Sequence, residues 1–342
     1  MKCDWEECLL GELVTFQRGY DLPRTKMQGG IYPVIGSSGI IGYHNEYTTE
    51  APSITIGRSG NVGKPHLYKG KSWTHNTALY IKEYKNVNQM FIYYLLQTLN
   101  LGSYAGGTAV PTLNRNHIHS LSLAIPPLKV QEKITAILSP LDDKIELNRR
   151  INANLEQQAQ TVFKYMFSEV LYGNRTIGEY IIPERGQSLL SKNAIHGNIP
   201  VIAGGTKPTT YHNIANTKPP VVTIAASGTA GFVSLWHVPV WSSDSSFIDS
   251  KMTEHAYFWY LMLKTRQQEI YRARVGSVQP HIYPQHIASM PTGDINMQQV
   301  NSFTEKVTPL FKMIGLNQAE NNILAQILDS LLPKLISGEI EL

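Results

Sequence analysis

Cysteine, charge and long apolar runs are all scarce in this 342-residue chain, and each scarcity removes a class of protein. The two cysteines, Cys3 and Cys8, have four residues between them, which supplies neither a disulfide framework nor a zinc site. A long uncharged run, 219–243, is interrupted by prolines, glycines and serines, so it cannot form a membrane helix. The opening Met1-Lys2-Cys3-Asp4-Trp5-Glu6-Glu7 is acidic and lacks the apolar stretch of a signal peptide, so a cytoplasmic protein is expected. At 42% hydrophobic residues the chain is globular, with material for two or three ordinary cores.

Catalytic signatures are missing too. Gly57 to Lys64 superficially matches a phosphate loop, but five residues separate Gly57 from Gly63, and Pro65 stands where Ser or Thr should hold magnesium. Gly36, Gly39 and Gly42 have the wrong spacing for a dinucleotide fingerprint. The histidines are scattered, and His117 with His119 has no carboxylate or cysteine nearby in sequence to complete a metal site. There is no G-x-S-x-G elbow and no Asn- or Asp-Pro-Pro-aromatic tetrapeptide of the amino-methyltransferase kind. A non-catalytic chain that binds no cofactor or metal of its own is expected.

What is present is a duplication with an offset of about 168 residues. Tyr43-His44-Asn45 returns as Tyr211-His212-Asn213, Ser59-Gly60 as Ser227-Gly228, Trp73 as Trp241, and Pro33-Val34-Ile35 as Pro200-Val201-Ile202. Further on, Gly107 with Pro111 returns as Gly276 with Pro280, and Pro140-Leu141 with Leu147-Asn148 as Pro309-Leu310 with Leu316-Asn317. Two copies are too few for a solenoid. They suit a molecule with two equivalent reading heads.

Each copy runs from short β-like stretches, such as 53–56 and 221–225, through one helical stretch, near 88–100 and 254–272, into a long amphipathic segment. Phe91, Tyr94 and Leu95 in the first helical stretch are answered by Tyr257, Tyr260 and Leu261, and this spacing predicts core packing. The long segments carry helix seams: Ile134, Leu138, Leu141, Ile145, Asn148, Asn152, Leu155, Ala159, Val162 and Met166 in the first; Val300, Phe303, Val307, Leu310, Ile314, Asn317, Asn321, Leu324, Leu328, Leu331 and Leu335 in the second. Connectivity makes the pair antiparallel, and a helix of about 40 residues spans roughly 60 Å, enough to hold two heads apart. Asparagine at two neighbouring seam positions in both copies costs stability and returns fixed register, so Asn148 and Asn152 should meet Asn317 and Asn321. Pro140 and Pro309 predict a matched break or kink, or a late helix start.

Charge follows the repeat. Residues 1–127 hold 11 Lys and Arg against 8 Asp and Glu, and 171–293 hold 10 against 6, so both heads are basic. Segment 128–170 is balanced at 6 against 6, and 294–342 is acidic at 3 against 6. A basic surface favours a polyanion through counterion release.

The whole chain resembles the DNA-specificity subunit of type I restriction-modification systems. The resemblance rests on Trp5 with Leu10-Gly11-Glu12-Leu13 and Gly19; on Ile125-Pro126-Pro127-Leu128 with Gln131 and Ile134; on Ile137-Leu138, Leu141-Asp142-Asp143-Lys144-Ile145, Asn148 and Leu155; and on Leu331-Leu332-Pro333-Lys334-Leu335 with Ser337-Gly338-Glu339-Ile340. The second join, Ala288-Ser289-Met290-Pro291 followed by Asn296-Met297-Gln298-Gln299, departs from the pattern and blurs where the second helix starts. The resemblance implies an α+β chain of two tandem, pseudo-symmetric α/β target-recognition domains, 1–127 and 171–293, separated by an antiparallel pair of long coiled-coil-like helices in 128–170 and 294–342. It also implies that the heads read a bipartite sequence in double-stranded DNA and that the helices set the unread gap. The helices would dock methyltransferase subunits that hold S-adenosylmethionine, and a motor-nuclease subunit with ATP and magnesium can join them.

The family transfers no reader residues, so the candidates come from the Gly-rich turns shared by both heads. They are Arg58, Ser59, Asn61 and Lys64 against Ser227 and Thr229, and Thr108, Asn114 and Arg115 against Arg272, Arg274, Ser277, Gln279 and His281. The bland reading is that these are solvated turns. Lys69 and Lys71 are expected merely to face solvent. Two other classes stay open: a self-sufficient nuclease or methyltransferase, and a coiled-coil adaptor that ignores DNA.

Overall fold

A computed structural model describes residues 5–106, 111–276 and 278–342. The chain divides into two compact units, 1–145 with 323–342 and 146–322, and each long helix contributes to both. The candidates Thr108 and Ser277, and Cys3, lie outside the described residues.

In the first unit the central strand Ser53–Gly57 is buried along its whole length. It lies in a four-stranded antiparallel sheet between Ala78–Tyr84 and Pro65–Tyr68, with Val14–Arg18 beyond Ala78–Tyr84. A three-stranded sheet sets Tyr32–Gly36 between Gly39–His44, antiparallel, and Trp73–Thr74, parallel. Gln89–Thr98 is the head's helix; Asn88 caps it by accepting from the Phe91 N–H at 3.0 Å, and Phe91, Tyr94 and Leu95 are buried as the spacing predicts.

The second unit repeats this plan strand for strand. Val221–Ala225 is the buried central strand, in a sheet ordered Glu184–Arg185, Ser245–Ile248, Val221–Ala225, Val233–Trp236. Ile199–Ile202 lies between Thr210–His212 and Trp241–Ser242, the last again parallel. The repeated Tyr-His-Asn and Trp turn out to be one packing unit. His44 meets Trp73 edge-on at 5.0 Å and His212 meets Trp241 edge-on at 5.1 Å. The imidazole Nδ1 accepts a backbone N–H in each case, from Gln28 at 3.3 Å and from Ile195 at 3.0 Å.

The long helices are Leu128–Phe167 and Met297–Ile336, and both run unbroken through their prolines, against the expectation of a break or late start. Pro140 and Pro309 deprive the Ala136 and Glu305 carbonyls of their donors, but all four residues lie on exposed helix faces where water substitutes. Within the first unit, Ile134 and Leu138 share a core with Leu335 and Ile336. Within the second, the pair runs antiparallel: Gln299 Nε2 donates to the Met166 carbonyl at 2.8 Å at one end, while Asn148 meets Asn321 at the other. The seam there includes Phe163, Phe167 and Phe311, which the sequence pattern missed. Phe163 and Phe167 pack with Phe258 and Phe303 at centroid distances of 5.0–5.8 Å, each pair contributing about 0.5–1.5 kcal/mol and fixing the second head on its helices.

Candidate nucleic-acid interface

In each head the two predicted loops are brought together by the same backbone clasp. The Leu113 N–H donates to the Arg58 carbonyl at 2.8 Å, and Ser59 bridges Thr112, so Arg58 and Ser59 lie beside the segment leading to Asn114 and Arg115. In the second unit the Ile282 N–H donates to the Ala226 carbonyl at 3.0 Å, and Val275 bridges His281, so Ser227 lies beside the hairpin that carries Gln279 and His281. The turns themselves need glycine. Gly60 and Gly228 have positive φ, and a Cβ on Gly57 would stand 1.8 Å from the Asn61 carbonyl oxygen.

The candidate side chains differ in how far they are already committed. Asn61, Lys64 and Arg115 are exposed. Asn114 caps the helix Arg115–His119, its side-chain oxygen accepting from the Asn116 N–H at 3.0 Å, and is itself exposed. Arg58 is half-buried and reaches the Asn76 carbonyl at 3.4 Å. Burial, and then the like charge of Arg18, make its guanidinium less basic than usual. Two cations held this close are unfavourable alone and are relieved by an anion. Thr229 donates to the Gly204 carbonyl at 2.8 Å, and Arg274 donates to the Tyr271 carbonyl at 2.6 Å and covers the Tyr271 ring. Arg272 is exposed at the end of the helix Gln267–Arg272. His281 stacks on Tyr283, ring centroids 6.1 Å apart. Lys69 and Lys71, outside these loops, pair with Asp143 and Glu50.

On the helices, Asn148 Nδ2 donates to Glu320 Oε2 at 2.7 Å and to Asn321 Oδ1 at 2.9 Å, while Asn317 Nδ2 donates to Asn152 Oδ1 at 2.8 Å. The four seam asparagines therefore meet in two consecutive layers.

A family model described as the type I restriction modification DNA specificity domain matches residues 2–157. The specificity subunit of the type I restriction enzyme EcoprrI from Escherichia coli is 29% identical over 139 residues, 39% of this chain and 35% of that protein. The MjaIX specificity subunit from Methanocaldococcus jannaschii is 25% identical over 302 residues, 73% of this chain and 68% of that protein. Over these stretches the chain is similar to type I restriction-modification specificity subunits. It covers little more than a third of the EcoprrI subunit's length and two thirds of the MjaIX subunit's. The S subunit of such a system from M. genitalium shares the fold, with a TM-score of 0.64 at 18% identity over 97% of this chain and 96% of that one.

The chain also has polar groups at the clasps that the motifs did not single out. Arg18-Gly19 and Arg185-Gly186 are themselves a repeat, 167 residues apart, and so carried a usable signal. Asn76 and Asp244 occupy matching places three residues after Trp73 and Trp241. Among the described residues no group of three or more His, Cys, Asp or Glu could hold a metal ion, and no helix is long and apolar enough to cross a membrane.

Proposed function

We propose that this chain supplies the DNA specificity of a type I restriction-modification complex and performs no chemistry itself. In this reading 1–127 and 171–293 are target-recognition domains, each addressing one half of a bipartite duplex target with the loops gathered at its clasp. The observation that carries it is the clasp itself, built twice from the same backbone atoms and bearing different side chains in each head. A shared frame with unlike polar groups is what two readers of unlike sequences require.

The helical segments 128–170 and 294–342 are the docking surface for methyltransferase subunits. Leu147, Ile151, Met313 and Leu316 on the helices of the second unit are 37–65% exposed, as are Ile137, Ile323 and Ile327 in the first at 38–58%, more apolar surface than a lone helix pair gains from leaving wet. S-adenosylmethionine enters with those subunits, and ATP and magnesium with a motor-nuclease subunit.

The test is a gel shift of duplex DNA by the chain assembled with its modification subunits, across a salt series. Affinity should fall steeply with salt, and Arg58→Ala or Lys64→Ala should each lower the log–log slope by about 1. Loss of all salt-sensitive duplex binding would leave the adaptor reading, and methyl transfer to DNA by the chain alone would establish the catalytic one.

A further inference from the structure

The second head carries a polar chain that no sequence motif announces. Arg185 ends the two-residue strand Glu184–Arg185, where it is paired with Ser246. Its Nη2 donates to Asp244 Oδ1 at 2.7 Å, and its guanidinium carbon lies 5.6 Å from the Tyr283 ring centre. The other carboxylate oxygen of Asp244 accepts from the Ser227 hydroxyl. His281 stacks on the same tyrosine. The network thus runs from the Ser227 turn, through Asp244 and Arg185, to the hairpin that holds His281, joining both predicted loops of this head.

Stability does not explain it. Arg185 is 40% exposed and Asp244 37%, and an ion pair that open to solvent contributes little to folding. What the pair does is hold the guanidinium: Asp244 takes one nitrogen, the Tyr283 ring lies beside it, and at 40% exposure the side chain keeps donors open to solvent. A planar donor fork fixed before binding loses less freedom when it engages a partner. Such a fork matches the O6 and N7 acceptors that guanine shows in the major groove, while the bare Asp244 carboxylate would repel the nearby phosphates.

We propose that Arg185, oriented by Asp244 and Tyr283, reads one guanine in the half of the target addressed by the second head. This rests on the DNA-specificity reading above. The first head has a different arrangement on the same frame. Asn76 stands at the place of Asp244 and donates to Asp21 at 2.7 Å, and Arg58 stands where the second head has Ala226. The Arg185 effect is therefore confined to one half-site.

The experiment maps methylated sites in a randomised duplex library modified by the assembled complex, comparing the wild-type chain with Arg185→Ala, Arg185→Lys and Asp244→Asn. Arg185→Ala should weaken preference at a single base pair of one half-site by about ten- to a hundredfold, with the other half-site unchanged. Arg185→Lys keeps the charge but not the fork, and should relax the same position. Asp244→Asn keeps the size of the buttress and should relax it less. An unchanged target in both arginine variants, or weakening spread evenly over all sequences, overturns the assignment while leaving the specificity reading standing. A wild-type complex that shows no sequence preference overturns both.

Discussion

Asn148 offers a test of what holds the helix pair in register. Its side chain is fully buried, and the two acceptors around it, Glu320 and Asn321, fix the amide with its nitrogen toward them. The amide oxygen is then left buried without a partner among the described residues. Asn148→Ala gives up one hydrogen bond to a charged group, about 1.5–3 kcal/mol, and one neutral bond, about 0.5–1.5 kcal/mol. It also removes the orphaned oxygen, whose burial costs about 1–3 kcal/mol, so the net loss is about 1–2 kcal/mol. Asn148→Leu makes the same losses but adds about 1.5–3 kcal/mol of apolar burial, and should come out near wild type. Asn148→Asp sets a second carboxylate against Glu320. Like charges raise the folded-state pKa of such a pair above its unfolded value, so this variant should be the weakest at neutral pH and recover as pH falls into the carboxylate range. Denaturant titration, with hydrogen exchange of the two helices to localise the effect, measures all three. A leucine variant less stable than the alanine one, or an aspartate variant indifferent to pH, would refute this account of the seam.

Other outcomes follow from the same geometry. Tyr260 Oη donates to Glu156 at 2.5 Å and Tyr94 Oη to Asp142 at 2.8 Å, so Tyr260→Phe and Tyr94→Phe should each lower stability by about 1.5–3 kcal/mol in denaturant titration. His237 packs against Gly315, Tyr257 and Phe311, and burial pushes its pKa down to about 4. Because the folded value lies below the unfolded one, its contribution is full above pH of about 6.5 and is lost as pH falls toward 4; thermal melts of His237→Phe should show less of that acid loss. Gly57→Ala would drive a methyl into the Asn61 carbonyl, so it should displace the 58–61 turn and abolish duplex binding in a gel shift, with far-UV circular dichroism near wild type.

Much of this was legible in the sequence because it is written in periodicity or in repetition. The seam spacing located the helices, the paired asparagines located their meeting points, and the repeated Tyr-His-Asn and Trp marked matching cores. Three features escaped. Phe163, Phe167 and Phe311 fell outside the written seam because a helix of 3.6 residues per turn drifts from a 3.5-residue stripe over several turns. The prolines misled as to a break or late start because proline propensity describes an interior carbonyl, whereas those released here face water. The linkage of Arg185, Asp244, Ser227 and Tyr283 escaped for another reason. Its hydrogen-bonded pairs lie 17 and 59 residues apart, on a two-residue strand and on turns, so although Arg185-Gly186 repeats Arg18-Gly19, no periodicity ties these residues to one another.

The clasp has a consequence for how such a molecule can change. Its bonds run from main-chain nitrogen to main-chain oxygen, so they admit any residue at positions 58 and 226, and any but proline at positions 113 and 282. Mutation can therefore rewrite what a head prefers without first loosening its architecture, and one head can drift while its twin stays constant. A lineage carrying this scaffold can vary either head by single steps, with its folding conserved throughout.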